Sequence, residues 1–350
     1  MWIPDSALHH LRLVTDEPDL TGTRYRMLGP LGRGGMGAVY RVEDVELGRE
    51  VALKVLAIPD PAGDIAGRMI AEARILARLE HPAIVPIHDV GRLADGRVFY
   101  VMKRVRGLRL DDPDARAGSV PDVLRIVRRV SDGVALAHAH GIVHRDLKPQ
   151  NVMVGAFGEV LVLDWGVARV LGAEESGGTS GPVAMPAAQR TGAGDRLGTP
   201  GWMAPEQLHG GAHAADARAD VYGIGGILFY LLTGAPPGEP DEPARDHAAA
   251  TPESHEARIR TVLARRRPPL PRRLRAIVVR ALALEPPLRY PSVDALTADI
   301  DRFLVGEPVT AHRENMAERA AAFVSKYRTA VALVLTYIIL RVLFILLRNP

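Results

Sequence analysis

The sequence HRDLKPQN, residues 144–151, joins one carboxylate, three basic side chains and two amides around a single proline. Asp146 precedes the amide of Asn151 by five positions, and Pro149 between them disfavours regular structure because it has no N–H to donate. Lys148 is one of only four lysines among the 44 Lys and Arg residues of the chain. A sequence that otherwise uses arginine has a lysine in this loop, which indicates a specific task for its compact ammonium group.

The composition limits the class of protein. With 350 residues, the chain can bury a sizeable core in one or two domains. Hydrophobic residues make up 47% and charged residues 24%, as in ordinary globular proteins, and a net charge of +3 requires no nucleic-acid partner. The sequence has no cysteine, which excludes disulfides, thiolate metal sites and a catalytic thiol. We expect no signal peptide, because the N-terminus lacks a basic region followed by an apolar run.

The order of hydrophobic patterns predicts two lobes. Residues 1–23 are expected to form a flexible arm. Three short strand-like runs then predict an antiparallel sheet, followed by a helix over 64–80 and strands near 84–90 and 97–105. After Gly107 the predicted helices cover 121–140, 205–210, 219–233, 258–266, 271–284 and 292–304. Strands first and helices second indicate a lobe at 24–105, a lobe at 106–305 and a cleft between them.

Two stretches interrupt these patterns, and the C-terminus differs from both. Residues 172–195 and 235–257 are rich in small residues and proline, which is typical of surface loops. After a linker at 306–328, residues 329–347 are apolar apart from Arg341 and two threonines. As a helix they would span about 28 Å, which predicts a membrane anchor with the N-terminal domain on the cytoplasmic side of the inner membrane. Arg341 argues against this prediction, and a buried or dimerising helix is the alternative.

Glycines suggest one contact with phosphate. LGRGGMGAVY, residues 31–40, has Gly32, Gly34 and Gly37, and glycine lets backbone N–H groups approach a phosphate closely. A glycine-rich hairpin without a ligand is at least as common. No helix follows, so the dinucleotide-binding fingerprint does not apply, and no Lys-Ser/Thr pair follows, which excludes a P-loop.

Charged residues in apolar surroundings suggest the rest of a site. Lys54 lies in the strand-like run VALKVL, where it either extends to water or pairs with Glu72 of the next predicted helix. Asp164 ends the apolar run LVLD, where an ordinary strand-ending turn is the alternative to a ligand. Carboxylate and amide oxygens from Asp164 and Asn151 would suit Mg²⁺, and Asp146 could then accept a hydroxyl proton.

These motifs together resemble the signature set of the protein kinases in its chain order. The matching residues are Gly32-x-Gly34-x-x-Gly37-x-Val39, Val51-Ala52-Leu53-Lys54, Glu72, His144-Arg145-Asp146-Leu147-x-x-x-Asn151, Asp164-Trp165-Gly166 and Ala204-Pro205-Glu206. Over about residues 25–304, the sequence is similar to the bacterial Hanks-type (eukaryotic-like) serine/threonine kinases. The resemblance implies an α+β bilobal protein-kinase fold, with a small antiparallel sheet and one regulatory helix before a larger, mainly helical lobe.

The resemblance also implies roles for individual residues. Asp146 would be the catalytic base, Asn151 and Asp164 would hold Mg²⁺ or alternatively Mn²⁺, Lys148 would contact the γ-phosphate, and Lys54 would pair with Glu72. The implied ATP-binding residues are Leu31, Gly32, Arg33, Gly34, Gly35, Met36, Gly37, Val39, Ala52, Lys54 and Met102. Met102 would be the gatekeeper of a hinge at 99–105.

Further implied positions lie in the large lobe. Thr199 would lie near Asp146, Asp220 would be the lobe's structural acid, and Arg289 would pair with Glu206. Two residues depart from the family pattern, namely Trp165 in place of phenylalanine and Lys103 in place of a hinge acid. Trp165 is bulky and apolar, so we expect it to keep the packing role of phenylalanine. Lys103 should have little effect on ATP binding, because backbone groups of the hinge bind most of the adenine.

Partners and regulation are further expectations from the resemblance. Protein substrates with Ser or Thr acceptors are implied, including the kinase itself, and a homodimer would allow phosphorylation in trans. Arg145 would pair with a phosphorylated residue of the loop at 172–195. Its candidate acceptors are Ser176, Thr179, Ser180 and Thr191. The alternative functions are a pseudokinase that serves as a nucleotide-binding scaffold and a small-molecule kinase of related fold.

Overall fold

A computed structural model gives the fold of the chain. The residues it describes are 17–34, 37–56, 73, 76–115, 118–165, 169–170, 201–209, 216–238, 251–314 and 328–348. They form a small lobe built on a sheet and a larger lobe built mainly of helices, as the sequence predicts.

The small lobe is a five-stranded antiparallel sheet with the order β1-β2-β3-β5-β4. Its strands are β1 (Tyr25–Gly34), β2 (Gly37–Asp44), β3 (Arg49–Leu56), β4 (Ile87–Arg92) and β5 (Val98–Lys103). Alternate side chains of the central strands, among them Tyr40, Val42 and Leu53, are buried in one apolar cluster. β4 begins later than predicted, because Pro86 has no N–H for the ladder and Ile84 instead forms a bridge to Val162 of the large lobe. The predicted helix over 64–80 lies outside the described residues apart from its C-terminal part.

Six helices within 118–304 build the described core of the large lobe. They are α1 (Val120–Ala139), α2 (Pro205–His209), α3 (Ala217–Thr233), α4 (Pro252–Arg265), α5 (Arg272–Ala281) and α6 (Val293–Leu304). α3 lies at the centre and is buried on nearly all sides, with α1, α5 and α6 packed against it. α4 begins earlier than predicted, at the end of the stretch expected to be a surface loop. Thr251 caps it by accepting a hydrogen bond from Ser254 N at 3.2 Å, and Pro252 suits its first turn.

Short strands hold the loop at 144–151 between the lobes. They are β6 (Gly107–Arg109), β7 (Ile142–Val143), β8 (Val152–Gly155), β9 (Val160–Val162) and β10 (Arg169–Val170). β6, β8 and β9 form one sheet, and β7 pairs with β10. The loop therefore leaves β7, passes through a single 3-10 turn at Pro149–Asn151 and enters β8, so both of its ends are fixed by strands.

The part of the C-terminus that follows α6 first packs on the large lobe. Val309 is buried there, and Asp299 of α6 accepts hydrogen bonds from the backbone N–H groups of Thr310 and Ala311 at 2.8 and 3.0 Å. The segment predicted as a linker from residue 306 thus begins as part of the folded lobe.

The predicted membrane span at residues 329–347 is a helix, α7 (Arg328–Arg348). Among the residues that the structure describes, no helix combines the length and the apolar composition needed to cross a membrane. The predicted membrane anchor is therefore not supported.

Candidate active site

The carboxylate of Asp146 is held by two neighbours in its own loop. Lys148 Nζ lies 3.0 and 2.8 Å from its two carboxylate oxygens. Asn151 Nδ2 donates to the backbone oxygen of Asp146 at 2.7 Å and to its Oδ2 at 3.0 Å. The 3-10 turn at Pro149–Asn151 brings the side chains of Asp146, Lys148 and Asn151 together. The loop thus presents one carboxylate beside one ammonium. The carboxylate could accept a proton, and the ammonium could offset the charge of an anionic group nearby.

Asp220 of α3 fixes the backbone of this loop to the core of the large lobe. Its carboxylate accepts from His144 N at 2.8 Å and from Arg145 N at 2.7 Å, and His138 Nε2 lies 2.7 Å from its Oδ2. Gly223, one turn further along α3, allows Leu147 of the loop to lie close to the helix. A Cβ at Gly223 would lie 2.7 Å from the Cβ of Leu147. The predicted role of Asp220 as a structural acid agrees with these contacts.

The ring of His144 is fully buried and links the loop to Asp164. Its Nδ1 accepts from Asp146 N at 3.3 Å, so the proton of a neutral ring lies on Nε2, which donates to Leu163 O at 2.9 Å. Trp165 is buried against the His144 ring, with ring centroids 4.7 Å apart. The indole therefore fills the packing position that the family usually gives to phenylalanine, as expected.

Lys54 and Asp164 connect the two lobes. The Lys54 side chain is only 5% exposed, and its ammonium forms an ion pair with Asp164 Oδ1. The Tyr100 ring lies beside it, with the ring centroid 5.9 Å from Nζ. Burial acts to lower the pKa of Lys54, but Tyr100 and Asp164 outweigh it, so the pKa is raised above its ordinary value. The ammonium is therefore charged throughout the physiological pH range and can contact anionic groups in the cleft.

A small apolar cluster, called the apolar slot below, lies beside this ion pair. Ala52 and Met102 are buried in a cluster with Val85, and other side chains pack partly buried against it. These are Val39, Tyr100, Val105 and Leu163. Three residues predicted to bind ATP, Val39, Ala52 and the gatekeeper Met102, thus lie together, whereas Leu31 is exposed and lies outside the cluster. Apolar side chains of this kind suit contact with a flat aromatic base.

The glycine-rich hairpin lies at the turn between β1 and β2. Gly34 pairs with Gly37, and the backbone at Gly32 is open, since a Cβ there would meet no atom within 4 Å. Arg33 is exposed on the same hairpin. Gly35 and Met36, also predicted to bind ATP, lie outside the described residues.

The residues expected to hold a metal form a sparse set of oxygen donors. Asn151 uses its Nδ2 toward Asp146, which leaves its Oδ1 as an acceptor, and Asp164 adds a carboxylate. Throughout the described parts of the chain, no group of three His, Asp or Glu side chains could hold a metal ion. One carboxylate and one amide oxygen fit Mg²⁺, which usually takes few protein ligands and completes its shell with waters and phosphate oxygens.

Known proteins with similar sequences show to which family this chain belongs. A family model of the protein kinase domain matches residues 25–299. The chain belongs to the protein kinase family. The resemblance to bacterial Hanks-type serine/threonine kinases and the predicted kinase fold are both confirmed.

Individual relatives agree with this assignment. A probable serine/threonine-protein kinase of Streptomyces coelicolor is 35% identical over 307 residues, covering 85% of this chain and 42% of that protein. PknB of Mycobacterium tuberculosis is 33% identical over 330 residues, covering 89% of this chain and 49% of PknB. The crystal structure of the PknI kinase domain of Mycobacterium tuberculosis superposes with a TM-score of 0.56 at 28% identity, covering 80% of this chain and 96% of that domain. The chain spans less than half the length of these two curated relatives.

Glu206 and Arg289 anchor the segment after the family's activation loop. Arg289 is buried and donates to both carboxylate oxygens of Glu206, at 2.6 and 2.7 Å, which confirms the predicted pair. It also donates to the backbone oxygens of Ala283 and Leu284 at 2.7 and 2.9 Å. A planar guanidinium can make all these contacts at once, whereas an ammonium could not. The start of α2 in this kinase is therefore rigidly attached to the large lobe.

Some predicted positions lie outside the described residues, and some site residues were not predicted. Outside are Glu72, Thr199, Gly166 and the loop at 172–195 with its candidate phosphoacceptors. Tyr100 and Val105 belong to the predicted hinge at 99–105, although their contacts were not predicted, and Leu163 and Gln207 were not predicted at all. Leu163 could have been found from its place before Asp164, but the sequence gives no local signal for Gln207.

Proposed function

We propose that this kinase transfers the γ-phosphate of ATP to Ser or Thr hydroxyls of protein substrates. The observation that carries the proposal is one cleft that holds a lysine–carboxylate pair, a positioned carboxylate and an apolar slot. Lys54 pairs with Asp164, and Lys148 pairs with Asp146. His144 links the two pairs because it contacts Asp146 N and Leu163 O. No residue with a chemical role in the described part of the site is replaced by an inert one.

The proposed reaction is a direct transfer. The acceptor hydroxyl oxygen forms a bond to the γ-phosphorus, the bond from that phosphorus to the bridging oxygen breaks, and ADP leaves with the electron pair. Asp146 accepts the hydroxyl proton, and Lys148, 2.8 Å from its carboxylate, offsets the negative charge of the transferring group. Lys54 holds the remaining phosphates. Mg²⁺ held by Asn151 and Asp164 would neutralise phosphate charge when bound.

Protein substrates are favoured over small molecules by the segment around α2. Ala204 is buried, and Glu206 is fixed by the buried Arg289, so a rigid surface lies beside the catalytic loop. Such a surface suits an extended peptide. The two curated relatives are named as serine/threonine-protein kinases, which supports hydroxyl acceptors of that type.

Incorporation of labelled phosphate into the chain and into a generic basic protein tests the proposal. Asp146→Asn and Lys54→Met should each lower the transfer rate by about 100-fold or more. Asp301→Asn and Arg128→Met are matched controls, because these two side chains pair with each other at 2.8 Å on an exposed surface. The proposal fails if the unaltered chain transfers no phosphate, or if Asp146→Asn transfers it as fast as the controls.

We also propose that the kinase phosphorylates itself within 172–195. Charge-assisted pairing of a phosphate with Arg145 next to the catalytic base would give such a modification a structural effect. Phosphosite mapping by mass spectrometry after incubation with ATP should find phosphate on Ser176, Thr179, Ser180 or Thr191. Phosphate located only elsewhere in the chain would contradict this second proposal while leaving the first intact.

A further inference from the structure

Gln207 on α2 bridges the catalytic loop and the segment that follows the activation loop. Its Nε2 donates to the backbone oxygen of Arg145 at 2.7 Å. Its Oε1 accepts from the backbone N–H of Ala204 at 3.2 Å. The side chain also lines a small cavity together with Asp146 and Trp202. Both ends of one amide are therefore used, one toward each segment.

The backbone oxygen that Gln207 holds belongs to a residue in an unusual conformation. Arg145 has a φ of 67°, in the left-handed region that non-glycine residues rarely occupy. This conformation costs about 1–2 kcal/mol and persists only where surrounding contacts enforce it. Arg145 immediately precedes Asp146, so its conformation sets the direction in which the carboxylate of Asp146 points.

Two side chains hold the backbone of Arg145 in this conformation, one at its N–H and one at its oxygen. Asp220 of α3 accepts from Arg145 N at 2.7 Å, and Gln207 donates to Arg145 O at 2.7 Å. The first contact comes from the core of the large lobe. The second comes from α2, whose start is held by Glu206 and Arg289. The peptide between Arg145 and Asp146 is thus fixed through its oxygen by the same segment that we propose binds peptide substrates.

We propose that Gln207 is a positioning residue for phosphoryl transfer, which orients Asp146 through the Arg145 peptide and couples that orientation to the substrate segment. The inference rests on the proposed kinase function. Only a side chain with both a donor and an acceptor makes the two contacts. Glutamate has the same size and keeps the acceptor, but as a carboxylate it has no proton to donate to Arg145 O.

Because Gln207 does not contact the apolar slot or Lys54, its loss should affect the chemical step and not nucleotide binding. A misdirected base can lower the rate by as much as about 100-fold without any change in substrate affinity. We therefore expect Gln207→Glu and Gln207→Met to lower kcat by about 10- to 100-fold. The KM for ATP and the Kd for ATP should stay within about twofold of the unaltered kinase, since ATP binds elsewhere.

The experiment measures kcat, both KM values, the Kd for ATP and the Tm for the full chain and its variants. Tyr290→Phe is the control, because it removes a buried hydrogen bond of 2.9 Å to Asp299 of α6. This control should lower the Tm about as much as the Gln207 variants do, but leave kcat unchanged. A specific loss of kcat at similar stability supports the inference.

Other outcomes overturn it. If kcat of both Gln207 variants stays within about twofold of the unaltered kinase, the contact to Arg145 has no positioning role. If kcat and Tm fall while the KM for ATP rises, or if neither variant folds, Gln207 is a structural residue only. If the unaltered chain itself transfers no phosphate, the proposed function fails, and that result is visible before any variant is compared.

Discussion

Lys54 is a buried cation whose surroundings keep it charged. An isolated buried ammonium would lose its proton, but Tyr100 and Asp164 favour the protonated form and raise its pKa, Tyr100 in part through a hydrogen bond between its hydroxyl and the ammonium. Burial raises the pKa of the Tyr100 hydroxyl, so that side chain stays neutral at physiological pH. The Tyr100 side chain therefore supports Lys54 through its neutral hydroxyl and through its ring face, whose centroid lies 5.9 Å from Nζ.

Replacing Tyr100 separates the contribution of its ring from that of its hydroxyl. Tyr100→Leu removes the ring beside Nζ, a contact worth about 0.5–1 kcal/mol, and should raise the Kd for ATP about two- to fivefold. Tyr100→Phe keeps the ring but loses the hydrogen bond of the hydroxyl with Lys54, so we expect it to weaken ATP binding less than Tyr100→Leu does. Titration with a fluorescent ATP analogue measures both constants. Equal weakening in the two variants would show that the hydroxyl, and not the ring, supports Lys54.

Arg289 is a second residue whose environment determines its effect. Arg289→Ala would leave Glu206 without its partner, so we expect a loss of about 3–5 kcal/mol in the free energy of unfolding. Urea denaturation of this variant should be compared with that of Arg128→Ala. Arg128 pairs with Asp301 at the surface, and its removal should change stability by less than about 1 kcal/mol. Similar losses in both variants would mean that burial does not strengthen the Arg289–Glu206 pair.

At the scale of elements, Asp299 joins α6 to the segment that follows it. Its carboxylate accepts from Tyr290 Oη, Arg302 Nη1, Thr310 N, Thr310 Oγ1 and Ala311 N, at distances between 2.7 and 3.0 Å. Burial acts to raise the pKa of Asp299, but the donors from Thr310, Tyr290 and Arg302 outweigh it and lower the pKa below 3.8. These hydrogen-bond donors therefore stabilise Asp299 in its charged form.

The sign of the pH dependence follows from this shift. Because the folded pKa is lower than the unfolded pKa, Asp299 stabilises the fold fully above the unfolded value. That stability is lost as the pH falls through the folded value. Asp299→Asn should therefore lower the free energy of unfolding at neutral pH by about 2–3 kcal/mol and flatten its decline below about pH 4. Urea denaturation from pH 7 to pH 2.5 measures both effects.

Asp301→Asn is the matched control for that experiment, since Asp301 lies on the same helix and its side chain is 45% exposed. It should change stability by less than about 1 kcal/mol at neutral pH. A decline with acid in Asp299→Asn as steep as in the control would assign the acid sensitivity to other carboxylates. The segment at 306–314 would then be held by its remaining contacts, such as Arg273 Nη1 with Gly306 O at 2.9 Å.

At the scale of the whole molecule, the two lobes meet through both apolar and polar contacts, and Leu76, Leu79 and Ile84 of the small lobe are buried in the core of the large lobe. Lys54 pairs with Asp164, and the segment at 83–85 joins β9 through Val162 N to Ala83 O at 2.8 Å and Val85 N to Val162 O at 3.3 Å. The apolar slot takes Leu163 from the large lobe and its other side chains from residues up to Val105. A nucleotide bound there would contact both lobes and add to their attachment.

Nucleotide binding should therefore raise the Tm of the full chain. At a ligand concentration of about 100 times Kd, binding adds about 2.7 kcal/mol, which raises the Tm by about 5–10 °C. ATP with Mg²⁺ should stabilise more than ATP alone, and Asp164→Asn should remove that extra increment. Thermal unfolding measures both. An extra increment that survives in Asp164→Asn would place the metal on other residues.

Much of the fold could be predicted because it depends on local patterns. Apolar residues at helical spacing and capping residues beside them place α1, α3 and α6 close to their predicted bounds. The order of Lys54, Asp146, Asn151 and Asp164 along the chain predicted a shared cleft. Boundaries failed where a cap or proline outweighed periodicity, as at Thr251 and Pro86.

The sequence by itself determined the residue types of the site, since phosphate, a metal ion and a hydroxyl proton each require particular functional groups in a particular order. Only the tertiary structure decided which groups touch. Gln207 meets Arg145 across 62 residues, and Thr310 meets Asp299 from outside the matched kinase domain. Such contacts depend on where two distant backbones pass each other within about 3 Å, and no local pattern specifies that distance.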